Sequence, residues 1–538
     1  MTAGSFQYNR MAVDFGTSNT VVAFWDEDKS DVVLHHIPDV TLPYRFIQDG
    51  REMEIPYIPS LIYYKDIKTN FIGYQVLKMM LERSKGSFRW IKAYIQSRRA
   101  MKYPLPDGSQ VDYLQAGRDF LHKVVSFASE SGYADISTCE VAFTVPIEAF
   151  EHYTDWLSDA CIQLRIRRYR FIDESTACIF GYDTHLQAGD IFLTFDFGGG
   201  TLDVSVVRIE DRIDKGKGCR VMGKAGCRIG GRTIDGWLYD DLLRRAKIRD
   251  FDAREASALF MLNVEKIKED LSNQKSVEYD FIHKHSGLRL KGVYHRSELE
   301  EMLDEKGIYH DVQETINRAL KDAREHGVSK EDIKEALLVG GTSQMPSIRR
   351  LVTAHFGKNT RSFHPYDAVA RGACRFLCND IEALYDHIQH DYAIKSFDRK
   401  SGTNKFAPLI PKGTKYPTAE DFRKLTLKAT HEGQRFFGIE IYEIAQKGSS
   451  STGIGEIYYD LNGYAIFKNI DQSAGADTEF WMNEDKPMFI EASPPAGAGS
   501  KRFSVSFMVD SQKRLLVTVW DILNQRHIYR DYPVVKLK

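Results

Sequence analysis

Between Thr194 and Val207 the chain reads Thr-Phe-Asp-Phe-Gly-Gly-Gly-Thr-Leu-Asp-Val-Ser-Val-Val, an apolar and aromatic approach, a polar turn and a β-branched exit. Two apolar runs joined by a glycine turn predict a β-hairpin. Residues Met11 to Trp25 repeat the pattern, with Asp14, Phe15, Gly16 and the hydroxyls of Thr17 and Ser18 between the runs. The two copies stand far outside any solenoid period, which points to a duplicated domain.

The same alternation predicts strands at Ile58 to Tyr64, Glu140 to Pro146, Arg168 to Ile172 and Ala336 to Val339. Helical spacing is read over Phe71 to Ser97 with a break at Gly86, over Tyr113 to Ser131, around Phe150 to Leu164, and over most of 240 to 330. Another helix opens near His364 and is expected to run to about Tyr385. From about residue 392 the helical period stops. Short strands such as Leu425 to Ala429, Phe436 to Ile444, Tyr464 to Phe467, Phe503 to Val509 and Leu515 to Trp520 follow, separated by soft loops such as 448 to 453 and 493 to 500. That pattern predicts a C-terminal β-sandwich.

Composition changes this picture little. The 538 residues are 43% hydrophobic and 28% charged, an ordinary globular balance with room for several domains. A net charge of −2 favours neither nucleic acid nor an acidic membrane as partner. Seven scattered cysteines suit a reducing compartment better than a disulfide framework. With no signal pattern at the start and no apolar run of spanning length, a soluble, cytoplasmic protein is expected.

The polar turns carry the candidate chemistry. Glycines in such a turn leave backbone N–H groups open to an anion, and a strand-end aspartate can hold a hydrated Mg²⁺. Asp14 and Asp196 occupy that position in the two copies, so two loops could grip one polyphosphate from opposite sides. Neither copy is a P-loop, and no Gly-x-Gly-x-x-Gly stands in the chain. By spacing alone Lys92 reads as a snorkelling surface cation and Glu174 as a helix N-terminal acid, with a water-polarising role as the alternative for Glu174. Glu265, Lys268 and Ser272 share one helix face, which by pattern alone is a solvated face. Cys374 and Cys378 read as helix packing, and His387 and His390 are too isolated to argue for a metal.

Taken in order, these motifs resemble the seventy-kilodalton heat-shock chaperone family of the actin, sugar-kinase and chaperone superfamily. Asp14-Phe-Gly-Thr-Ser18 is similar to its first phosphate motif and Asp196-Phe-Gly-Gly-Gly-Thr-Leu-Asp203 to its second. Val339-Gly-Gly-Thr-Ser-Gln-Met-Pro346 resembles its adenosine motif. Thr144-Val-Pro146, Asp173-Glu-Ser-Thr-Ala177 and His364-Pro-Tyr-Asp-Ala-Val-Ala-Arg-Gly372 resemble its connecting segments. Segments 408 to 418, 505 to 510 and 517 to 521 are similar, more loosely, to its β-rich substrate domain.

The resemblance implies an α/β fold: a duplicated actin-like (ribonuclease-H-like) ATPase domain of two lobes around a nucleotide cleft over residues 1–383. A linker at 384–391 and a β-sandwich at 392–538 would follow. It implies ATP or ADP and Mg²⁺ as cofactors, with Asp14 and Asp196 holding the ion through water. Gly16, Thr17, Ser18, Gly198, Gly199, Gly200 and Thr201 would cradle the phosphates. Lys92 and Glu174 would position the attacking water with Asp203 in support. Glu265 and Lys268 would hold the ribose, while Gly231, Ser272, Gly340, Gly341 and Gln344 would line the rest of the nucleotide site. Clients would be unfolded or extended polypeptide, with a J-domain co-chaperone and a nucleotide-exchange factor as further partners.

Departures from the family pattern are as informative. The two arginines that commonly clamp adenine correspond to Glu269 and Gln344, which removes a cation–π contact worth about 0.5–2 kcal/mol. Tyr366 stands where the family usually has an acid, and Ser175 replaces a customary proline. The linker lacks the Asp-Leu-Leu-Leu run, and no helical segment follows the β-rich part before Lys538, so a lidless member is expected. Two other readings share the cleft: an actin-like filament or scaffold protein, and a small-molecule kinase.

Overall fold

A computed structural model describes residues 7–48, 51–82, 84–96, 102–146, 151–182, 186–212, 216–253, 256–362, 364–378, 382–384, 388, 390–398, 403–444, 454–459, 465–470, 479–483, 488–510 and 513–537. The chain divides into two compact units. One takes Met1–Ala149, Asp155–Leu384 and Gly448–Ala476, and the other Phe150–Thr154, Tyr385–Lys447 and Asp477–Lys538.

The first unit is built on two sheets with the same wiring. In the first, strand Arg10–Phe15 pairs antiparallel with Asn19–Asp26 and parallel with Glu140–Val145, which pairs parallel with Arg168–Asp173. In the second, Ile191–Phe197 pairs antiparallel with Leu202–Arg212 and parallel with Glu335–Val339, which pairs parallel with Thr360–Arg361. A third antiparallel strand flanks each hairpin, Asp31–Leu34 in one sheet and Gly216–Cys227 in the other. The central strands are buried on both faces, as continuous apolar runs such as Met11-Ala-Val13 and Phe192-Leu193 require. The duplication expected from the two Asp-Phe-Gly turns is thus visible in the topology.

The two halves meet through a helix pair. Glu174–Gly181 and Ala368–Cys378 follow equivalent parallel strands in each half and cross each other. A Cβ on Gly181 would lie 1.8 Å from the Ala368 carbonyl oxygen, and one on Gly372 1.6 Å from that of Ala177. Only glycine permits this approach. Helix Tyr113–Glu130 starts on Asp112, whose carboxylate accepts from Gln115 N at 2.8 Å, and buries Ala116, Phe120, Val124 and Ala128 on one face. Phe120 stacks on Phe15 at 5.6 Å, directly behind the first turn. Each such buried ring stabilises the fold by about 1.5–3 kcal/mol.

Several expected elements differ. The helix read over 71 to 97 is instead strand Asn70–Ile72, a short helix Tyr74–Lys78, strand Ser87–Arg89 and helix Ile91–Gln96. Positive φ at Gly73, Met80, Gly86 and Trp90 breaks the run, and Leu61–Tyr64 pairs with both short strands. Within 240 to 330 an antiparallel hairpin, Ser276–Ile282 with Arg289–His295, interrupts the helices. The helix after His364 ends at Cys378, before a strand at Glu382–Leu384. The expected strand at 58 to 64 is split at Ser60, and a small hairpin pairs Tyr103–Pro104 with Gln110–Val111.

The second unit contains two four-stranded antiparallel sheets. One orders Thr403–Ile410, Asp391–Asp398, Ile441–Ile444 and Glu479–Trp481, and the other Arg423–Lys428, Lys501–Val509, Arg514–Asp521 and Arg526–Lys536. Tyr392, Ile394, Leu409 and Ile441 from the first join Phe503, Val505, Phe507, Val517 and Val519 from the second in one buried cluster. Part of the soft loop expected at 493 to 500 is strand, since Met488–Ala496 pairs with Gln434–Ile439. In the expected linker, residues 385–387 and 389 lie outside the described residues, as do the loop at 448 to 453 and Tyr464. No helix among the described residues is long and apolar enough to cross a membrane.

Candidate functional site

The two Asp-Phe-Gly turns face each other. Hydroxyls hold the first from behind: Ser60 Oγ donates to the Gly16 carbonyl at 2.8 Å, Ser60 N donates to that of Ser18 at 2.8 Å, and Thr20 bonds Ser60 at 2.9 Å. Backbone holds the second. Gly198 N donates to the Thr201 carbonyl, while Gly231 N at 3.1 Å and Arg232 N at 2.9 Å donate to the carbonyls of Gly198 and Gly199. Thr342 Oγ1 adds a bond to the Gly198 carbonyl at 2.8 Å. With these carbonyls engaged, the turn suits an anion at its N–H groups. The turns come close enough that a Cβ on Gly199 would sit 2.7 Å from Ser18 Oγ, and one on Gly200 3.2 Å from Thr17 Oγ1.

They border a cavity of about 950 Å³ between the two halves of the first unit. Asp14, Lys92, Glu174 and Asp196 line it together, and Lys92 Nζ bonds Glu174 Oε1 at 2.5 Å. Glu174 is the first residue of its helix, capped by Asp173, which accepts from Thr176 N at 2.7 Å. Glu174 therefore both opens its helix and lines the cavity. Lys92 is buried rather than snorkelling, because strand Ser87–Arg89 and the left-handed Trp90 aim its short helix inward.

Three carboxylates share one ammonium here, and the electrostatics show it. Burial, then the charge of Glu174, pushes the Asp14 carboxyl up to about 6, against a bond from Thr144 Oγ1 at 2.7 Å. Asp196 is pushed well above the ordinary carboxylate range by burial, by Glu174, and by Asp203 and Asp14. Asp203 does not line the cavity; it is buried behind it, paired in register with Asp196 across the hairpin. An all-oxygen set short of positive charge fits a hard divalent cation. Among the described residues no three His, Cys, Asp or Glu side chains converge on one metal position.

Away from the carboxylates the lining changes. Glu265, Lys268 and Ser272, expected on a solvated face, all line the cavity. Lys268 Nζ pairs with Asp235 at 2.8 Å and donates to the Gly231 carbonyl at 3.2 Å, which ties the helix to the second turn. Burial raises Asp235 to about 6 despite that partner, while Arg89, 2.8 Å from Glu265, and Lys268 together hold Glu265 low against burial. Pattern alone could not see this, since the partners come from distant segments. Gly16, Thr201, Gly340, Gly341 and Gln344 also line the cavity, and Gln344 spends its amide on Ser343 Oγ at 2.8 Å and Ser362 Oγ at 2.9 Å. Gly340, at φ +81°, is where the third glycine strand passes Asp196: a Cβ there would lie 2.8 Å from Asp196 Oδ1. Sequence reasoning missed Arg89, Thr144, Asp235 and Thr342, and also Tyr44, Tyr57 and Arg349 in the lining. Of these Thr144 and Thr342 stood inside quoted motifs without a role of their own, and Asp235 carried a signal one turn after the Gly230-Gly231 helix start.

A sequence profile described as Hsp70 protein matches residues 117–448, more than half of the chain. The chain belongs to the Hsp70 family. It is 24% identical over 94% of its length to a chaperone protein HscA homolog of Cupriavidus taiwanensis, covering 75% of that protein. It is equally 24% identical to a chaperone protein DnaK of Deinococcus deserti, over 94% of this chain and 76% of the relative. A chaperone protein HscA homolog of Shewanella baltica follows at 22%. Membership in the Hsp70 family carries the actin-like two-lobed ATPase fold, and members are ATPases that bind ATP or ADP, generally with Mg²⁺. The relatives support a chaperone function for this Hsp70-family chain.

Proposed function

We propose that this chain is an ATP-dependent chaperone whose first unit binds and slowly hydrolyses ATP with Mg²⁺ and whose β-rich unit takes unfolded or extended peptide. The observation that carries this reading is the apposition of two aspartate-tipped turns over one cavity that also holds the Lys92–Glu174 pair. Phosphoryl transfer needs positioning and charge neutralisation more than covalent chemistry. Asp14 and Asp196 hold the hydrated ion, which when bound neutralises phosphate charge. Thr17, Ser18 and the Gly198–Thr201 turn cradle the phosphates, Lys92 and Glu174 orient the attacking water, and Asp203 supports Asp196. Glu265 and Lys268 hold the ribose beside Gly231, Ser272, Gly340, Gly341 and Gln344.

The proposed domains are 1–383, a linker at 384–391 and a β-sandwich at 392–538, which takes peptide by strand-edge pairing and side-chain pockets. A J-domain co-chaperone and a nucleotide-exchange factor are its proposed regulators. Seven free thiols support a reducing, cytoplasmic setting. The test is steady-state ATPase of Asp196→Asn and Glu174→Gln: both lose activity by at least about 100-fold if the assignment holds. Unchanged rates overturn it. Coupling between the units is tested by titrating nucleotide and unfolded peptide together, since each must shift the other's affinity by the same factor.

A further inference from the structure

The far end of the cavity is walled by tyrosines. Tyr44 and Tyr57 come from the antiparallel pair Leu42–Gln48 and Arg51–Pro59 at the edge of the first sheet. Tyr366 comes from the turn before helix Ala368–Cys378, anchored where Gly340 N donates to the Pro365 carbonyl at 2.9 Å. Across the cavity, Tyr44 Oη donates to Tyr366 Oη at 3.1 Å, with ring centroids 4.5 Å apart and tilted by 55°. Tyr57 packs edge-on to Tyr44 at 6.2 Å. All three line the cavity, and the Glu269 carboxylate lies close enough for its charge to bear on each phenol.

The two guanidinium groups of the family pattern are missing, and the residues at their positions share the cavity lining with the tyrosines. Glu269 occupies one of those positions, and Gln344, in the other, is turned to Ser343 and Ser362. Something else must hold the base, and an aromatic wall can do so, because every base has a face that stacks on a ring. Burial and the charge of Glu265 raise the Glu269 carboxyl to about 7; above that pH it is ionised and acceptor-only, so it favours a base edge that donates and repels one that presents a carbonyl.

Resting on the nucleotide reading above, we propose that Tyr44 and Tyr366 form a latch that closes over the nucleobase, and that Glu269 selects a purine edge bearing an amino group. The latch joins the two halves of the unit, so opening the cavity breaks it, and nucleotide release is slowed by the ring contact and hydrogen bond together.

The test uses the full chain with Mg²⁺ above pH 8, where Glu269 is ionised, comparing ADP, inosine diphosphate and ribose 5-diphosphate, which has no base, by calorimetry. Release of a fluorescent ADP is followed by stopped flow. Tyr44→Ala is expected to weaken ADP by about ten-fold, mainly through faster release, and to leave ribose 5-diphosphate unchanged. Tyr44→Phe and Tyr366→Phe, which keep the ring and lose the hydrogen bond, are expected to speed release by about two- to five-fold. Glu269→Gln is expected to cut the preference for ADP over inosine diphosphate by about five-fold or more. Equal weakening of ADP and ribose 5-diphosphate by Tyr44→Ala, or no weakening, overturns the latch, and an unaltered base preference in Glu269→Gln overturns the selection. Wild-type protein that binds none of the three overturns the nucleotide reading itself, and the latch with it.

Discussion

Two buried ion pairs, one in each unit, show opposite uses of charge. In the second unit Arg502 Nη2 donates to Asp521 Oδ2 at 2.9 Å, with the two side chains 2% and 1% exposed. Asp521 also accepts from Leu523 N at 3.1 Å, Asn524 N at 3.0 Å and Asn524 Nδ2 at 2.8 Å, and Arg502 donates further to the Ser493 carbonyl. In the first unit Lys92 and Glu174 are nearly as buried, yet Asp14 and Asp196 crowd the same space with no cation of their own among the described residues. A carboxylate surrounded by donors is a structural lock. A cluster of carboxylates sharing one ammonium is a site kept short of positive charge, at a cost to the ligand-free fold that a bound cation removes.

The contrast predicts opposite signs for the same kind of substitution. The largest effect is expected in the second unit, where Asp521→Ala leaves Arg502 buried and unpaired. We expect a loss of about 3–5 kcal/mol, read as faster hydrogen exchange in strands Lys501–Val509 and Arg514–Asp521, with nucleotide binding unchanged. Next comes Asp14→Asn, which keeps an acceptor for Thr144 Oγ1 but removes a crowded charge. It should stabilise ligand-free protein at pH 8 by about 1–2 kcal/mol in chemical denaturation, while abolishing the stabilisation brought by Mg²⁺ and nucleotide. Destabilisation by Asp14→Asn without ligand would erase the contrast.

The finest test is the pH dependence of that gain. The Asp14 carboxyl is raised to about 6 in the folded chain, above its unfolded value, so its proton favours the folded state and that contribution is lost as pH rises. The advantage of Asp14→Asn is therefore absent near pH 4, grows through pH 6 and is constant by pH 8, which melting midpoints of both proteins across that range will show. Over the same interval Mg²⁺ affinity of the wild type rises, because the ion competes with the proton.

Local pattern carried much of this protein. The two aspartate turns, the strands that end in them and the β-rich change of composition near residue 392 were legible because apolar alternation and glycine turns are local signals. The run from 71 to 97 was misread because its apolar residues satisfy both periods, and four left-handed residues decide against a helix only once Leu61–Tyr64 is there to pair. Strand Gly216–Cys227 and hairpin Ser276–Ile282 with Arg289–His295 were passed over amid charged residues, although the second alternates with period two.

Side-chain surroundings were the other blind spot. Lys92, Lys268 and Glu265 read as solvated by position, and each is buried or half-buried against partners from far along the chain: Glu174, Asp235 and Arg89. The chain alone determined which residues could bind an anion or a cation, because that capacity resides in backbone freedom and in the chemistry of single side chains. Only the folded arrangement decided that they face one cavity, since two halves must first dock through Gly181 and Gly372. Shared burial then sets the charge balance there, and burial belongs to the assembled core rather than to any local stretch.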